Sequence, residues 1–176
     1  MRIGLCGTQS VGKTTLVKSL KELPEFKGYE FVTERSKYLN NLGIPLNTDS
    51  TLLGQTVFLA ERASELMVDN IITDRTIIDV MAFAQSSKSM DVIEKEDFEN
   101  YAKNLLGYYD YIFYVSPKGV DIENNGVRET NEIFRNLIDF TIQALLRRYS
   151  HRIKNIITIE GSTIERINTI KETLFL

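Results

Sequence analysis

Residues 7–14 read Gly-Thr-Gln-Ser-Val-Gly-Lys-Thr, which is the spacing Gly-x-x-x-x-Gly-Lys-Thr. A short apolar run precedes them, and a run with leucines at helical spacing follows them, so the segment joins a predicted strand to a predicted helix. In such a loop glycines let the backbone wrap an anion, while N–H groups and the helix start point at it. We therefore expect a phosphate-binding loop made of Gly7, Gln9, Ser10, Val11, Gly12, Lys13, Thr14 and Thr15.

Two side chains of this loop have separate expected roles. Lys13 would reach the β- and γ-phosphates of a nucleotide, and the hydroxyl of Thr14 would ligate Mg²⁺. ATP and Mg²⁺ are therefore the predicted cofactors. We also expect Lys13 to be exposed, so that its removal would leave no cavity.

Two carboxylates directly follow apolar runs elsewhere in the chain. Asp74 ends the run at 71–73 and could hold Mg²⁺ beside Thr14, or it could cap the helix that follows. Glu34 follows the run at 31–33. It could take the proton from a hydroxyl acceptor, or it could only favour the dipole of its own helix.

Arginines supply the positive charge that a transferring phosphoryl group needs. Arg128 and Arg135 lie seven residues apart, within a segment that we interpret as a lid around 116–135, and Arg75 is a further candidate. The alternative for each is an ordinary solvated arginine. Gln55, near the start of a long predicted helix, could face an acceptor.

The composition limits the function classes. A chain of 176 residues is expected to form one domain. A net charge of −3 gives no basic surface that would indicate nucleic-acid binding. The single cysteine, Cys6, excludes a disulfide framework and a cysteine zinc site. Met1 leads directly into the first predicted strand and no run is long enough to span a membrane, so we expect a cytoplasmic protein. A homodimer is left open.

Strands and helices are predicted to alternate along the chain. This alternation indicates a parallel five-stranded sheet with helices on both faces, the three-layer α/β sandwich of P-loop NTPases. Ligands of such sheets bind beyond the carboxyl ends of the strands. The predicted strands are 2–6, 29–33, 70–74, 110–115 and 155–160, and the predicted helices are 13–22, 35–42, 51–68, 76–86, 95–106, 129–149 and 163–174.

With these motifs in place, the chain resembles the NadR-like P-loop kinases, an AAA-domain family that includes nicotinamide riboside kinases and many phage proteins. The phosphate loop matches, and residues 33–39 resemble the family's Glu-x-x-Arg segment with Lys37 in place of arginine. Residues 74–80 resemble its Asp-Arg-x-x-x-Asp-Val pattern. Residues 125–128 resemble its Asp-Gly-x-Arg lid, with Asn125 in place of aspartate.

The resemblance implies ATP-dependent phosphorylation of a nucleoside or nucleotide. It implies that Gly161 shapes the adenine pocket and that the acceptor is bound by Glu34, Lys37, Gln55 and Arg75. A kinase acting on nucleic-acid ends or modified bases is the alternative, which the acidic balance opposes. A regulatory GTPase is less favoured because no Asn-Lys-x-Asp follows a predicted strand. A mechanical ATPase subunit would ordinarily need additional subdomains.

Overall fold

The computed structural model describes residues 1–118 and 132–175. Its sheet has five strands, all parallel, in the order β2-β3-β1-β4-β5. The strands are β1 (Arg2–Cys6), β2 (Glu30–Val32), β3 (Ile71–Asp74), β4 (Tyr111–Val115) and β5 (Ile156–Ile159). The predicted parallel sheet is therefore confirmed, and each observed strand lies within its predicted range.

Helices cover both faces of this sheet. The α-helices of the described residues are α1 (Lys13–Lys21), α2 (Ser36–Asn41), α3 (Leu52–Glu65), α4 (Ile77–Ser86), α5 (Val92–Ala102), α6 (Glu132–Arg148) and α7 (Thr163–Phe175). Short 3₁₀ turns occur at Pro24–Phe26, Asn47–Asp49, Lys103–Tyr108 and Ser150–Arg152.

The fifth helix differs from its prediction at both ends. It begins at Val92 and not at 95, because Asp91 and Glu94 form a reciprocal capping box around its first turn. Its last predicted residues belong to the 3₁₀ turn Lys103–Tyr108. Asp-x-x-Glu is a recognisable start signal, so this boundary could have been read from the sequence.

Two apolar clusters, one on each side of the sheet, form the core. On one side α1 and α7 pack against the sheet around Leu16, Leu20 and Ile170. On the other side α3, α4, α5 and α6 contribute to a second cluster that includes Met81 and Ile138. Strands covered on both faces must be apolar throughout, which is why continuous apolar runs marked them in the sequence.

The parallel register brings distant residues to one edge of the sheet. Leu5 of β1 lies opposite Asp74 of β3, and Cys6 lies opposite Tyr114 of β4. The segments that follow β1, β3 and β4 therefore start side by side. Within residues 1–118 and 132–175, each helix is too short or too polar to cross a lipid bilayer.

Candidate phosphoryl-transfer site

The loop between β1 and α1 depends on glycine at both of its ends. A Cβ on Gly7 would stand 2.7 Å from the carbonyl oxygen of Val115, so a side chain there would displace the end of β4. Gly12 has φ +83°, a left-handed conformation that residues with a side chain rarely adopt. These two glycines give the loop the close, curved path that phosphate binding needs.

Lys13 is buried, which corrects the expectation that it would be exposed. Its side-chain ammonium donates to the carbonyl oxygens of Gly7 and Thr8, at 2.5 and 2.7 Å. The lysine folds back over the loop, where these two carbonyls accept hydrogen bonds from its ammonium group. Burial lowers the pKa of Lys13 and nearby Arg75 lowers it further, whereas Asp79 acts in the opposite direction.

Thr14 and Asp74 meet at the edge of the sheet, as expected of two magnesium ligands. The hydroxyl of Thr14 donates to Oδ2 of Asp74, whose carboxylate is 1% exposed. The other oxygen, Oδ1, has no hydrogen-bond partner among the residues that the structure describes. Mg²⁺ commonly takes one or two protein ligands and completes its shell with phosphate and water, so this pair fits the ion.

The alternative interpretation of Asp74, as a helix cap, does not hold. The cap of α4 is Thr76, which forms a capping box with Asp79. Asp74 is the last residue of β3 and precedes that cap by two positions. Its carboxylate is therefore available to the loop and not committed to the helix.

Glu34 lies between β2 and α2, where it supports the start of the helix, and its role as a base stays a prediction. Its carboxylate accepts hydrogen bonds from the backbone N–H of Ser36, at 2.8 Å, and from the Ser36 hydroxyl, so it does support the helix start. The same carboxylate lies 3.7 Å from Nε of Arg75. Burial would raise the pKa of Glu34, but Arg75, Ser36 and Lys13 together hold it below its ordinary value. Glu34 is therefore ionised at neutral pH.

Arg75 is held in a strained backbone conformation directly after β3. Its φ is +85°, which is unusual for a residue other than glycine, and its backbone N–H donates to Leu5 at 2.9 Å. The guanidinium lies 5.0 Å from the ring centroid of Phe83, and its NH1 has no hydrogen-bond partner within the described residues. Strain of this kind often occurs where a side chain must be aimed at a site.

Two adjoining cavities meet at this edge, and their walls share Gln9, Glu34 and Arg75. The smaller holds about 220 Å³ and follows the phosphate loop to Asp74. The larger holds about 530 Å³, counted to its opening into solvent. Besides the shared residues, the larger cavity is lined by Ser36, Leu46, Asn47, Gln55, Phe58, Val80 and Phe83.

The structure brings most, but not all, of the predicted site residues to these cavities. Gln55 is buried in the wall of the larger one, as expected of an acceptor contact. Thr15 is exposed on α1, and Lys37 is exposed on α2; neither contributes to the two walls. Gly161 follows β5 with φ +85° and also lies outside both walls.

The two predicted lid arginines have different outcomes. Arg128 lies outside the described residues, as does most of the predicted lid, so their roles stay predictions. Arg135 is buried on α6, and its backbone carbonyl accepts a hydrogen bond from the hydroxyl of Thr8 at 3.1 Å. Its Nε and NH2 have no hydrogen-bond partner within residues 1–118 and 132–175.

Asp79 is a site residue that the sequence analysis missed. Its fully buried carboxylate accepts from the backbone N–H of Gly7 at 3.0 Å, and from the N–H and hydroxyl of Thr76, both at 2.8 Å. One side chain thereby joins the phosphate loop to the start of α4. The Thr-x-x-Asp spacing could have revealed the capping box, but nothing local predicts the bond to Gly7, 72 residues away.

A parallel sheet of this order, with a Gly-Lys-Thr loop between β1 and α1 beside a buried aspartate, defines a P-loop NTPase fold. The chain belongs to the AAA domain family, which it matches over residues 2–166. This confirms the AAA-domain part of the resemblance.

Solved structures of deoxyadenosine kinase from M. mycoides share the fold. The form with bound dCTP has a TM-score of 0.70 at 18% identity, covering 99% of this chain and 98% of that one. The form with products dCMP and a flexible dCDP has a TM-score of 0.67 at 16% identity, with the same coverage. The form with dATP has a TM-score of 0.66 at 19% identity, covering 99% of both chains. No curated protein matches the sequence significantly.

Proposed function

We propose that this chain is an ATP-dependent kinase that transfers the γ-phosphate to a hydroxyl group of a nucleoside. The observation that supports this proposal most strongly is that the phosphate-loop cavity and the larger cavity share a wall. This wall contains an ionised carboxylate, Glu34, and a half-buried guanidinium, Arg75. A group bound in one cavity is thereby adjacent to a group bound in the other. This is the arrangement that transfer between two bound molecules requires.

Each residue of the shared wall has a chemical role in this proposal. Glu34 accepts the proton of the acceptor hydroxyl, which makes the oxygen a better nucleophile. Lys13 and Arg75 provide positive charge on either side of the transferring group, where negative charge develops. Thr14 and Asp74 hold Mg²⁺, which when bound neutralises phosphate charge and orients the phosphates.

The larger cavity suits a nucleoside in its lining. It opens to solvent and adjoins the phosphate-loop cavity, so a nucleoside could enter beside the phosphates. Phe58 and Phe83 give it aromatic walls against which a base can stack, and the Gln55 amide offers both donors and an acceptor to a base edge. The deoxyadenosine kinase that shares this fold supports a deoxynucleoside as the first acceptor to test.

A nucleoside monophosphate is the second candidate, because Arg75 could pair with an acceptor phosphate. NH1 of this arginine has no hydrogen-bond partner in the described part of the chain. A phosphate acceptor needs no base, however, which would leave the ionised Glu34 without a chemical role. The nucleoside is therefore favoured, and nicotinamide riboside, suggested by the family resemblance, is one member of the panel.

The test is an acceptor screen with Mg²⁺–ATP over deoxynucleosides, ribonucleosides, nicotinamide riboside and nucleoside monophosphates. ADP release would be followed together with mass analysis of the phosphorylated product. We expect a nucleoside 5′-monophosphate to form with wild-type protein and not with Lys13→Met. If ADP is released only with nucleoside monophosphates, the proposed acceptor would be a nucleotide and not a nucleoside. Absence of transfer across the whole panel, with protein that binds Mg²⁺–ATP, would contradict the proposal.

A further inference from the structure

Arg166 lies on α7, the last helix, yet its side chain reaches the phosphate loop. It is 4% exposed, and its NH1 donates to the backbone carbonyl of Val11 at 2.6 Å. Its NH2 donates to the carbonyl of Ser116, just after β4, at 3.1 Å. One guanidinium therefore bridges the middle of the phosphate loop and the segment that follows β4.

The bond to Val11 constrains more than one carbonyl. The Val11 C=O and the Gly12 N–H belong to the same peptide plane, and in a trans peptide they point in opposite directions. Holding the carbonyl toward Arg166 therefore turns the Gly12 N–H to the other side of the loop. The smaller cavity is lined there by Val11, Gly12 and Lys13. A phosphate loop works only when its N–H groups converge on the anion.

The charge of Arg166 is also unusual. Among the described residues no carboxylate forms an ion pair with it, and its buried Nε has no hydrogen-bond partner there. A buried charge without an opposite charge is costly unless something compensates for it. Burial accordingly lowers the pKa of this arginine. Phosphate groups held by the loop would supply the missing negative charge.

We propose that Arg166 is a positioning residue for the nucleotide phosphates, acting through the Val11–Gly12 peptide and through its own buried charge. The proposal rests on the proposed function, because it requires a nucleotide at the loop. It predicts that losing Arg166 weakens ATP binding while leaving the acceptor side unchanged. A residue that only attached α7 to the core would alter stability without weakening ATP binding more than acceptor binding.

The test compares Arg166→Met and Arg166→Lys with wild type by calorimetric titration of Mg²⁺–ATP and Mg²⁺–ADP. Methionine keeps much of the volume and removes both donors. Lysine keeps the charge but cannot reach both carbonyls in the fork geometry of a guanidinium. We expect nucleotide affinity to fall roughly 10- to 100-fold in the methionine variant, as for lost hydrogen bonds from a charged donor, and less in the lysine variant. The KM for the acceptor should stay at the wild-type value.

Lys171→Met is the matched control, because Lys171 lies on the same helix and pairs with Glu25, away from the loop. It should leave nucleotide affinity unchanged. Methylguanidinium at millimolar concentration should restore part of the ATP affinity of Arg166→Ala. If the methionine variant does not fold, the nucleotide affinity of the lysine variant and this rescue decide whether Arg166 positions the phosphates.

Wild-type affinity in folded Arg166→Met, or in Arg166→Lys where the methionine variant does not fold, would overturn the inference. A parallel loss of affinity for ATP and acceptor would do the same. Failure of wild-type protein to bind Mg²⁺–ATP at all would instead count against the proposed function. The two failures are therefore distinguishable.

Discussion

The phosphate loop and the larger cavity meet at three side chains, but they are held in place by different interactions. The loop is fixed through its backbone: Asp79 accepts from the Gly7 N–H, and Arg166 donates to the Val11 carbonyl. The larger cavity is formed by side chains from α3, α4 and the segment before α3, with a longer Arg75–Glu34 contact of 3.7 Å in its wall.

This difference separates what is fixed in the fold from what is adjustable. Backbone amides held by buried charges give any nucleotide the same cradle, whichever side chains line the rest of the site. A cavity made of side chains can change its preference by single substitutions without disturbing that cradle. We therefore expect mutations on the loop side to affect every reaction of the protein, and mutations on the acceptor side to act selectively.

The largest effect is expected for Lys13→Met. Removing the ammonium takes positive charge from the transferring group, so phosphoryl transfer should be abolished with every acceptor. Because Lys13 also satisfies the carbonyls of Gly7 and Thr8, the melting temperature should fall as well. Turnover at saturating ATP and thermal melts measure the two effects. Near-wild-type turnover would show that the loop side is not the phosphoryl donor site.

Glu34→Gln should have the next largest effect. It tests whether the carboxylate in the wall shared by the two cavities acts as the base. The change keeps the shape but removes the base, which typically lowers kcat by about 10²–10⁴-fold. ATP affinity should change little, since the loop contacts are intact. Glu30→Gln, at an exposed position on β2, is the control and should leave kcat unchanged.

The pH profile gives a second measure of Glu34. Because its pKa is held below the ordinary value, the carboxylate is already ionised at neutral pH, and the rate should be lost only as pH falls through that lowered pKa. A rate that instead rises through neutrality because of this group would contradict the ionised state.

Unchanged kcat in Glu34→Gln would remove the base role and favour a phosphate acceptor.

How much of the fold and the site could be predicted from sequence depends on whether a feature is local or long-range. The phosphate loop, the parallel sheet and the strand-end positions of Glu34 and Asp74 follow from local patterns and the rule for parallel sheets. The bonds of Asp79 and Arg166 to the loop join residues 72 and 155 positions apart. Local periodicity carries no information about such contacts. Gln55 was found through position and resemblance, whereas Phe58 and Asn47 carried no signal of their own.

Asp79→Asn tests whether the loop side depends on one buried carboxylate. An amide presents one acceptor oxygen and cannot serve both Gly7 and Thr76 as the carboxylate does. Lost hydrogen bonds to a buried charge typically cost about 1.5–3 kcal/mol, so the free energy of unfolding and the ATP affinity should both fall. Denaturant unfolding and ATP titration measure them.

The control for Asp79 is Glu94→Gln, which makes the same acid-to-amide change at the corresponding position of the capping box of α5. Glu94 has no bond to the phosphate loop, so this variant should retain ATP affinity and lose little stability. An equal effect of both substitutions would mean that Asp79 acts only as a helix cap. The backbone anchoring of the loop would then rest on Arg166 and Lys13.

The smallest expected effect concerns the contact that holds the end of β3 at Asp74, because one of its carboxylates titrates near neutral pH. Arg62 of α3 donates to the carbonyl of Asp74 at 3.2 Å and to Glu65 at 2.5 Å. Burial raises the pKa of Glu65 from its ordinary 4.5 to about 7, and neighbouring Glu61 adds to the rise although Arg62 opposes it. The folded protein therefore binds this proton more tightly than the unfolded chain does.

Stability that comes from this proton is complete below pH 4.5 and is lost as pH rises to about 7. Glu65→Gln stays neutral and can still accept from Arg62, so its stability should not show this decline. The free energy of unfolding of wild type relative to Glu65→Gln, measured by urea titration at several pH values, should decrease across that window. Parallel curves would show that Glu65 has an ordinary pKa. In that case the support of Asp74 by Arg62 and Glu65 would not respond to pH in the neutral range.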